Sequence, residues 1–254
     1  MGSTPTTSRG RALAFRIVGW LIGAGTILFA LAFVLLSLVS DDPVERSHRF
    51  HYLASLIGGG LIGLFSILWI VRPDRSAYYH ALVGQALAWL IGGLMGGDPV
   101  TGFYVTGVIG LVILTVLHPD PRSLFRLPGQ PSIALLTYGL LVTIPAWTYA
   151  VLNAELQHGS ASDPHVQMHH WSGMAVAALS IAAAAIASSL RGVGWEVVAT
   201  VAAIAATLFG IAGLVFSALL GAPDPTGWSW LAIAAGIGFW LLARIEAARE
   251  APSR

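Results

Sequence analysis

The feature that most limits how this sequence can fold is a series of long apolar runs separated by short polar segments. Runs of about 18 or more apolar residues have the length that a helix needs to cross a bilayer. Eight such runs lie roughly at 13–40, 52–71, 77–96, 100–117, 132–153, 170–190, 194–221 and 227–247. They occupy most of the 254 residues and leave no room for a soluble domain. The predicted fold class is therefore an all-α membrane protein with eight transmembrane helices.

The first run is too long for the apolar core of a signal peptide, and no small-residue cleavage site followed by a mature domain comes after it. We therefore interpret it as a retained transmembrane helix.

The arginines indicate how the helices are oriented. Only Arg46 and Arg49 fall on one side of an eight-span arrangement. The other eleven basic residues fall on the opposite side: Arg9, Arg11, Arg16, Arg72, Arg75, Arg122, Arg126, Arg191, Arg244, Arg249 and Arg254. The positive-inside rule then predicts a multi-pass protein of the plasma membrane with both termini in the cytoplasm. Because these arginines are dispersed and lack interleaved aromatic residues, we expect membrane lipid as a partner and no nucleic acid.

Two missing residue types exclude whole classes of chemistry. The sequence has no cysteine, which excludes disulfides, thiolate metal sites, iron–sulfur clusters and covalent c-type haem attachment. It also has no lysine, which excludes a retinal Schiff base and catalysis by pyridoxal phosphate on a lysine.

The sequence repeats a pattern in its two halves. "MGGDPVTGFYV" (95–105) follows the third run, and "LGAPDPTGWSW" (220–230) follows the seventh. Histidine-containing stretches likewise open the second and sixth runs. This pattern predicts two parallel four-helix repeats, covering 1–121 and 122–254, with an arginine- and proline-containing connector at 118–131.

The histidines are the main candidates for a site. "VERSHRFHY" (44–52) and "HVQMHHWSGM" (165–174) both lie at the predicted outer face. Glu45 and His48, and His48 and His51, are three residues apart, and His165 and His169 are four apart, so each pair shares a helix face. Imidazoles in this arrangement can bind a metal ion or haem iron, although a simple interfacial role is the alternative for each residue. Copper binding through His165 and Met168 is considered but not favoured.

Three motifs resemble the haem A synthase family. "ERSHRF" (45–50) looks like the Glu-x-x-His-Arg motif that opens the second helix of that family. "QMHHWSG" (167–173) is similar to its histidine-containing entrance to helix six, and "QALAWLIGG" (85–93) to its third helix. The resemblance implies eight spans in two four-helix repeats with haem held by histidine. Unlike the family, this sequence has no histidine in the outer halves of the fourth and eighth runs, so one candidate ligand remains in each repeat.

The resemblance implies a role for each candidate residue. His48 and His169 correspond to iron ligands, and pairing His51 with His170 is the alternative register. Glu45 becomes a candidate catalytic residue that relays protons, and Arg49 a partner for a haem propionate. Gln85 would bind the cofactor or join helices.

The implied function is that of a haem-binding membrane protein involved in haem A biosynthesis for cytochrome oxidase assembly. It would bind haem b and oxidise a haem methyl group, with haem O and haem A as substrate and product and respiratory-oxidase assembly factors as partners. Two other functions stay open: a small-molecule transporter, or an accessory protein that delivers copper to an oxidase.

Overall fold

The computed structural model of the chain describes residues 9–97, 103–125, 130–220, 222 and 227–250. These residues form helices and connections only, as the sequence predicts. The helices are α1 (Arg9–Val39), α2 (Pro43–Ser47), α3 (Arg49–Val71), α4 (Ser76–Met95), α5 (Phe103–Leu117), α6 (Ile133–Gln157), α7 (Pro164–Gln167), α8 (His170–Ser189), α9 (Trp195–Val215) and α10 (Trp228–Glu250). A short 3₁₀ turn covers Ser123–Phe125.

Six helices in the described part of the chain are long and apolar enough to cross a membrane: α1, α3, α6, α8, α9 and α10. The chain is therefore a multi-pass membrane protein. The other two predicted runs coincide with α4 and α5, which fall outside this group. Tyr78, Tyr79, His80 and Gln85 make α4 more polar. The 15 residues of α5 span only about 22 Å. The Asp-Pro turns predicted before α5 and α10 lie partly outside the described residues.

The long helices alternate in direction, which produces two chemically different ends. We call the end where α1, α4 and α6 finish and α3 and α8 begin the histidine end. We call the opposite end, where α3, α5, α8 and α10 finish, the arginine end. At the arginine end the backbone N–H of Ser132 donates to the carbonyl of Ser189, which joins the start of α6 to the end of α8. At the histidine end a ring nitrogen of His158 lies 3.0 Å from the carbonyl oxygen of Met95.

Small residues place α8 at the centre of the bundle. An apolar stretch of 18 residues in α8 is 83% buried, against 17% for the corresponding stretches of α1 and of α6. The run of alanines and serines in α8 lets neighbouring backbones approach closely, which is the usual basis of helix packing in membranes. A Cβ atom at Gly92 of α4 would lie 3.1 Å from the backbone nitrogen of Val176. The helices α3 and α7, which carry His51 and His165, also pack against this central helix.

Hydrogen bonds and ion pairs fix the end of α10 at the arginine end. The Ser132 hydroxyl donates to Oε2 of Glu246 at 2.6 Å and also accepts the backbone N–H of Leu135, so it caps α6. Arg249 donates to Oε1 of Glu246 at 2.8 Å, and Arg191 pairs with Glu250. The buried carboxylate of Glu246 thus has both hydroxyl and guanidinium partners, as a buried charge requires.

Candidate functional site

Two short helices deliver the histidines to one place at the histidine end. Pro43 begins α2, and Pro164 begins α7, the position where proline costs a helix no hydrogen bond. Both helices end within five residues, and the chain then turns into a long helix. His48 precedes α3 with ordinary right-handed backbone, whereas His169 precedes α8 with a φ of 55°. The two entrances therefore direct their side chains differently, although the sequence makes them equivalent.

Four imidazole rings form what we call the histidine cluster: His48, His51, His165 and His170. The ring centroid of His48 lies 4.6 Å from that of His165 and 4.5 Å from that of His170. The centroid of His51 lies 4.9 Å from that of His165 and 5.1 Å from that of His170. The two remaining separations are 6.1 Å for His48–His51 and 5.9 Å for His165–His170. Every ring is thus adjacent to the other three.

The histidine cluster contains buried nitrogens that the described residues leave without a hydrogen-bond partner. These are both ring nitrogens of His48 and His51, Nε2 of His165 and Nδ1 of His170. His48 and His51 have no exposed surface. An unsatisfied buried polar group typically costs about 1–3 kcal/mol. Six such atoms in one cluster make it a candidate site for a group that bonds to imidazole nitrogen.

Asp163 orients one ring of the cluster. Its Oδ1 lies 2.9 Å from Nδ1 of His165 and accepts the backbone N–H of the same residue at 2.9 Å. Burial raises the pKa of Asp163, but its hydrogen bonds from His165 outweigh this and hold the pKa below its usual value. Asp163 is therefore a carboxylate at neutral pH, and His165 donates through Nδ1. The other ring nitrogen, Nε2, then carries the lone pair that can bind a ligand.

Burial also fixes the charge state of His48. Desolvation, together with the neighbouring His165, holds the pKa of His48 below 6.5. The ring is therefore neutral at pH 7, and a neutral imidazole is the form that binds metal ions. Glu45, Asp163 and Asp42 lie close enough to favour positive charge at this ring. Burial outweighs these three carboxylates, so the ring stays neutral while negative charge lies nearby.

A cavity of about 400 Å³ adjoins the histidine cluster. It lies between α1, α3, α4 and α8 and has aromatic walls from Phe29, Phe33 and Trp89. His169 and His170 line it together with Tyr52. Phe29 and Phe33 are 50% and 36% exposed, so the cavity opens on the side of α1 that faces lipid.

A second cavity continues from the first. It has a volume of about 340 Å³ and shares Thr26, Phe29 and Trp89 with the first cavity. It extends between α1 and α5 past Gly25 and Gly107. The two together form a groove that leads from the histidine end toward the middle of the membrane-spanning region.

The remaining predicted site residues have structural partners. Glu45 accepts a hydrogen bond of 3.0 Å from the hydroxyl of Tyr52, and Tyr52 lines the first cavity. Nε of Arg49 donates to the carbonyl of Ser37 in the last turn of α1 at 3.0 Å. Gln85 is fully buried and donates to the carbonyl of Ser180 at 2.9 Å, which joins α4 to α8. The residues lining the first cavity do not include Arg49 or Gln85.

The structure therefore divides the predicted ligands between two places. His48, His51 and His170 meet in the histidine cluster, whereas His169 lines the first cavity. The alignment of the two repeats, which matches His48 with His169 or alternatively His51 with His170 as equivalent positions, stays a prediction. His165 is not among the principal site residues that the sequence predicts. The signal that could have found it is Asp163 two residues earlier, the spacing at which an aspartate binds the N–H of a following residue.

The rings do not converge on one point as the side chains stand. Among the described residues, no group of three or more His, Asp or Glu side chains is set to hold a metal ion without movement. The rings instead contact one another at mostly steep angles, such as 84° between His48 and His165. Binding of an ion at the cluster therefore requires side-chain rotation.

Comparison with known proteins gives no match to a family model, a curated protein or a solved structure. The class that the fold and the site define is an all-α, multi-pass membrane protein with a buried histidine cluster beside an apolar cavity.

Proposed function

We propose that this chain is a haem-binding membrane protein that resembles haem A synthases and acts on a haem with an isoprenoid tail. The observation that carries the proposal is the first cavity, which combines aromatic walls with two adjacent histidines at one end. Its volume of about 400 Å³ falls in the range of pockets that hold organic ligands, about 300–1,000 Å³. Its opening toward lipid leaves room for the edge of a larger ring.

His169 is the proposed iron ligand. Its side chain lines the first cavity, whereas the ring of His48 is enclosed by three other imidazoles and by Tyr52. A macrocycle around an iron atom on His48 would occupy the space of those rings. We therefore propose His169, the predicted ligand of the second repeat, as the iron ligand and do not propose His48, that of the first.

The second cavity supports a tailed haem over haem b. The groove that it forms past Gly25 is apolar and lies between α1 and α5, at the depth of the lipid chains. An isoprenoid tail would bury its methylene groups there, each worth about 0.8 kcal/mol. Haem O carries such a tail, and haem b does not.

Glu45 would act through Tyr52. The carboxylate accepts the phenolic O–H, and the phenol ring lines the cavity, so this pair can move a proton between the cavity and the polar histidine end. A ring methyl group of the bound haem would be the group that is oxidised, and its electrons would pass to an acceptor in the membrane. Oxidase assembly factors are the proposed partners for the product.

We also propose the orientation of the protein in the membrane and its division into two four-helix repeats. The arginine end would lie in the cytoplasm, with α4 and α5 crossing the membrane as the seventh and eighth spans. In support, α1 packs on α3 as α6 packs on α8, and α3 packs on α4 as α8 packs on α9. Equivalent helices of the two halves thus make equivalent pairs. The membrane would be the plasma membrane.

The test is an absorbance spectrum of the purified full-length protein after addition of haem O. We expect a Soret band whose intensity corresponds to one haem per chain. His169→Asn should shift this band, because asparagine cannot replace histidine as an iron ligand. Asparagine also tolerates the left-handed backbone of His169, so the local fold should be kept. His158→Asn is the matched control and should leave the spectrum unchanged. An unshifted spectrum in His169→Asn would contradict the proposed ligand.

The tail is tested by filling the groove. A Cβ atom at Gly25 has no neighbour within 4 Å among the described residues, and the same holds for Gly60, which does not line either cavity. Gly25→Phe should weaken haem O binding about tenfold, the equivalent of about two buried methylene groups. It should leave haem b binding unchanged, and Gly60→Phe should affect neither. Equal weakening of both haems would contradict the proposed place of the tail.

A further inference from the structure

We propose that the histidine cluster is a second, non-haem site that binds one divalent first-row transition-metal ion, foremost Zn²⁺, through four imidazoles. Imidazole suits zinc, copper, iron and nickel, and zinc prefers four tetrahedral ligands. The site lies beside the proposed haem cavity and shares His170 with it, but it does not depend on haem binding.

The ring separations match the size of such a site. A zinc–nitrogen bond is about 2.0–2.1 Å long, and the centre of the imidazole ring lies about 1 Å further out. Four rings arranged tetrahedrally at this distance have centroids separated by about 5 Å. The six observed separations lie between 4.5 and 6.1 Å. The cluster therefore has the dimensions of a single four-histidine centre before the rings turn toward the ion.

The unpaired nitrogens supply the ligands. Each of the four rings has at least one buried nitrogen that has no hydrogen-bond partner within the described residues. A metal ion bound to one nitrogen of each ring would satisfy four of these atoms at once. Rotation about the side-chain bonds of the four histidines, whose rings already contact one another, would bring these nitrogens to one point.

Asp163 supplies the outer support that metal-binding histidines usually have. Its carboxylate holds Nδ1–H of His165 and leaves Nε2 for the ion. Zinc sites commonly contain such a carboxylate–histidine pair, which fixes the tautomer and strengthens the ligand. Glu45 and Asp42 add negative charge near His48. These carboxylates favour a divalent cation over an uncharged ligand.

The cluster excludes haem from its own centre. A macrocycle needs a clear plane several ångströms wide around the iron, whereas each ring here has three others within 6.1 Å of its centroid. A single ion needs only the space between the rings. The geometry thus separates the two cofactors, with His170 touching both sites because it also lines the first cavity.

The experiment uses Co²⁺ as a spectroscopic substitute for Zn²⁺. Full-length protein purified in detergent without haem is titrated with CoCl₂. We expect intense visible bands typical of tetrahedral Co²⁺ that saturate at one ion per chain and disappear when Zn²⁺ is added. A weak, octahedral-type spectrum, or no saturation at one ion per chain, would overturn the proposal.

Variants then assign the ligands. His51→Gln and His165→Gln should each remove the tetrahedral bands, and His158→Gln, at an exposed histidine outside the cluster, should retain them. Asp163→Asn should weaken Co²⁺ binding about 10- to 100-fold while keeping the cap of α7, since asparagine also caps helices. Asp163→Asn replaces none of the four proposed ligands, so it still tests the metal site if the histidine variants do not fold. Unchanged Co²⁺ affinity in Asp163→Asn or in folded His51→Gln would count against the site.

The two measurements also distinguish this inference from the proposed function. Tetrahedral Co²⁺ bands in a protein that shows no Soret band with haem O support the metal site and contradict haem binding. A Soret band in a protein without the Co²⁺ bands supports haem binding and contradicts the metal site.

Discussion

At the residue scale, His118 shows how burial can make a single histidine sensitive to pH. Its ring stacks on Trp69 with centroids 5.1 Å apart and has an edge contact with Phe15. Nδ1 accepts the backbone N–H of Asp120, which leaves Nε2–H to donate to the carbonyl of Pro73. Burial holds the pKa of His118 below 6.5. The neutral ring thus joins the ends of α3 and α5 at the arginine end.

This arrangement predicts loss of stability in acid. In acid, the folded state binds fewer protons at His118 than the unfolded state does. The contribution of His118 to the free energy of unfolding is therefore fully present above about pH 6.5. The contribution falls as the pH is lowered from there toward the folded-state pKa, because protonation of Nδ1 also breaks the bond from Asp120. Thermal unfolding in detergent between pH 8 and 5 measures this. His118→Gln, which does not titrate, should lose less stability over the range than the native chain, and an identical pH profile would contradict the argument.

At the element scale, glycines determine how closely α9 and α10 pack. A Cβ atom at Gly236 would lie 2.6 Å from the carbonyl oxygen of Ala203 and would also overlap Thr207. A Cβ atom at Gly210 would lie 2.9 Å from the backbone nitrogen of Ile233. Each helix therefore presents a glycine to the backbone of the other. This is the small-residue contact that replaces the hydrophobic effect between helices inside a bilayer.

Substitution of Gly236 should separate these helices. Gly236→Ala should lower the free energy of unfolding by about 1–3 kcal/mol, as overpacking of a tight interface does. Gly60→Ala is the control, because its Cβ meets open space among the described residues and alanine is the better helix former. We expect a lower thermal transition in Gly236→Ala and an equal or higher one in Gly60→Ala. The same small effect in both variants would show that the contact does not limit stability.

At the scale of the whole molecule, the proposed orientation places all described connections at the histidine end outside the cell. The sequence has no cysteine, so single cysteines can be introduced without removing native ones. Ser162 is exposed at the histidine end, and Gln130 is exposed at the arginine end. A membrane-impermeant thiol reagent should label Ser162→Cys in intact cells and Gln130→Cys only after the membrane is opened. The reverse pattern would invert the topology.

The sequence by itself determined the helical, membrane-spanning character of the chain. Apolar runs of this length have no other way to satisfy their backbone polar groups within a bilayer, so composition and spacing were sufficient to predict it. Each of the eight runs contains a helix, although α5 has only 15 residues and α9 ends at Val215, before the predicted limit of 221. Helix ends depend on local caps and turns, which hydropathy does not record. For the same reason the short helices α2 and α7 were not predicted separately.

Only the tertiary structure decided which histidines meet. Sequence spacing relates His48 to His51 and His165 to His169 because helical neighbours lie three or four positions apart. The histidine cluster instead joins residues across α3, α7 and α8, and its formation depends on how closely those elements approach. It depends also on the left-handed backbone of His169, which sends that side chain to the cavity and leaves His170 for the cluster. Contacts between elements far apart in the chain are set by packing, and one sequence pattern cannot specify them.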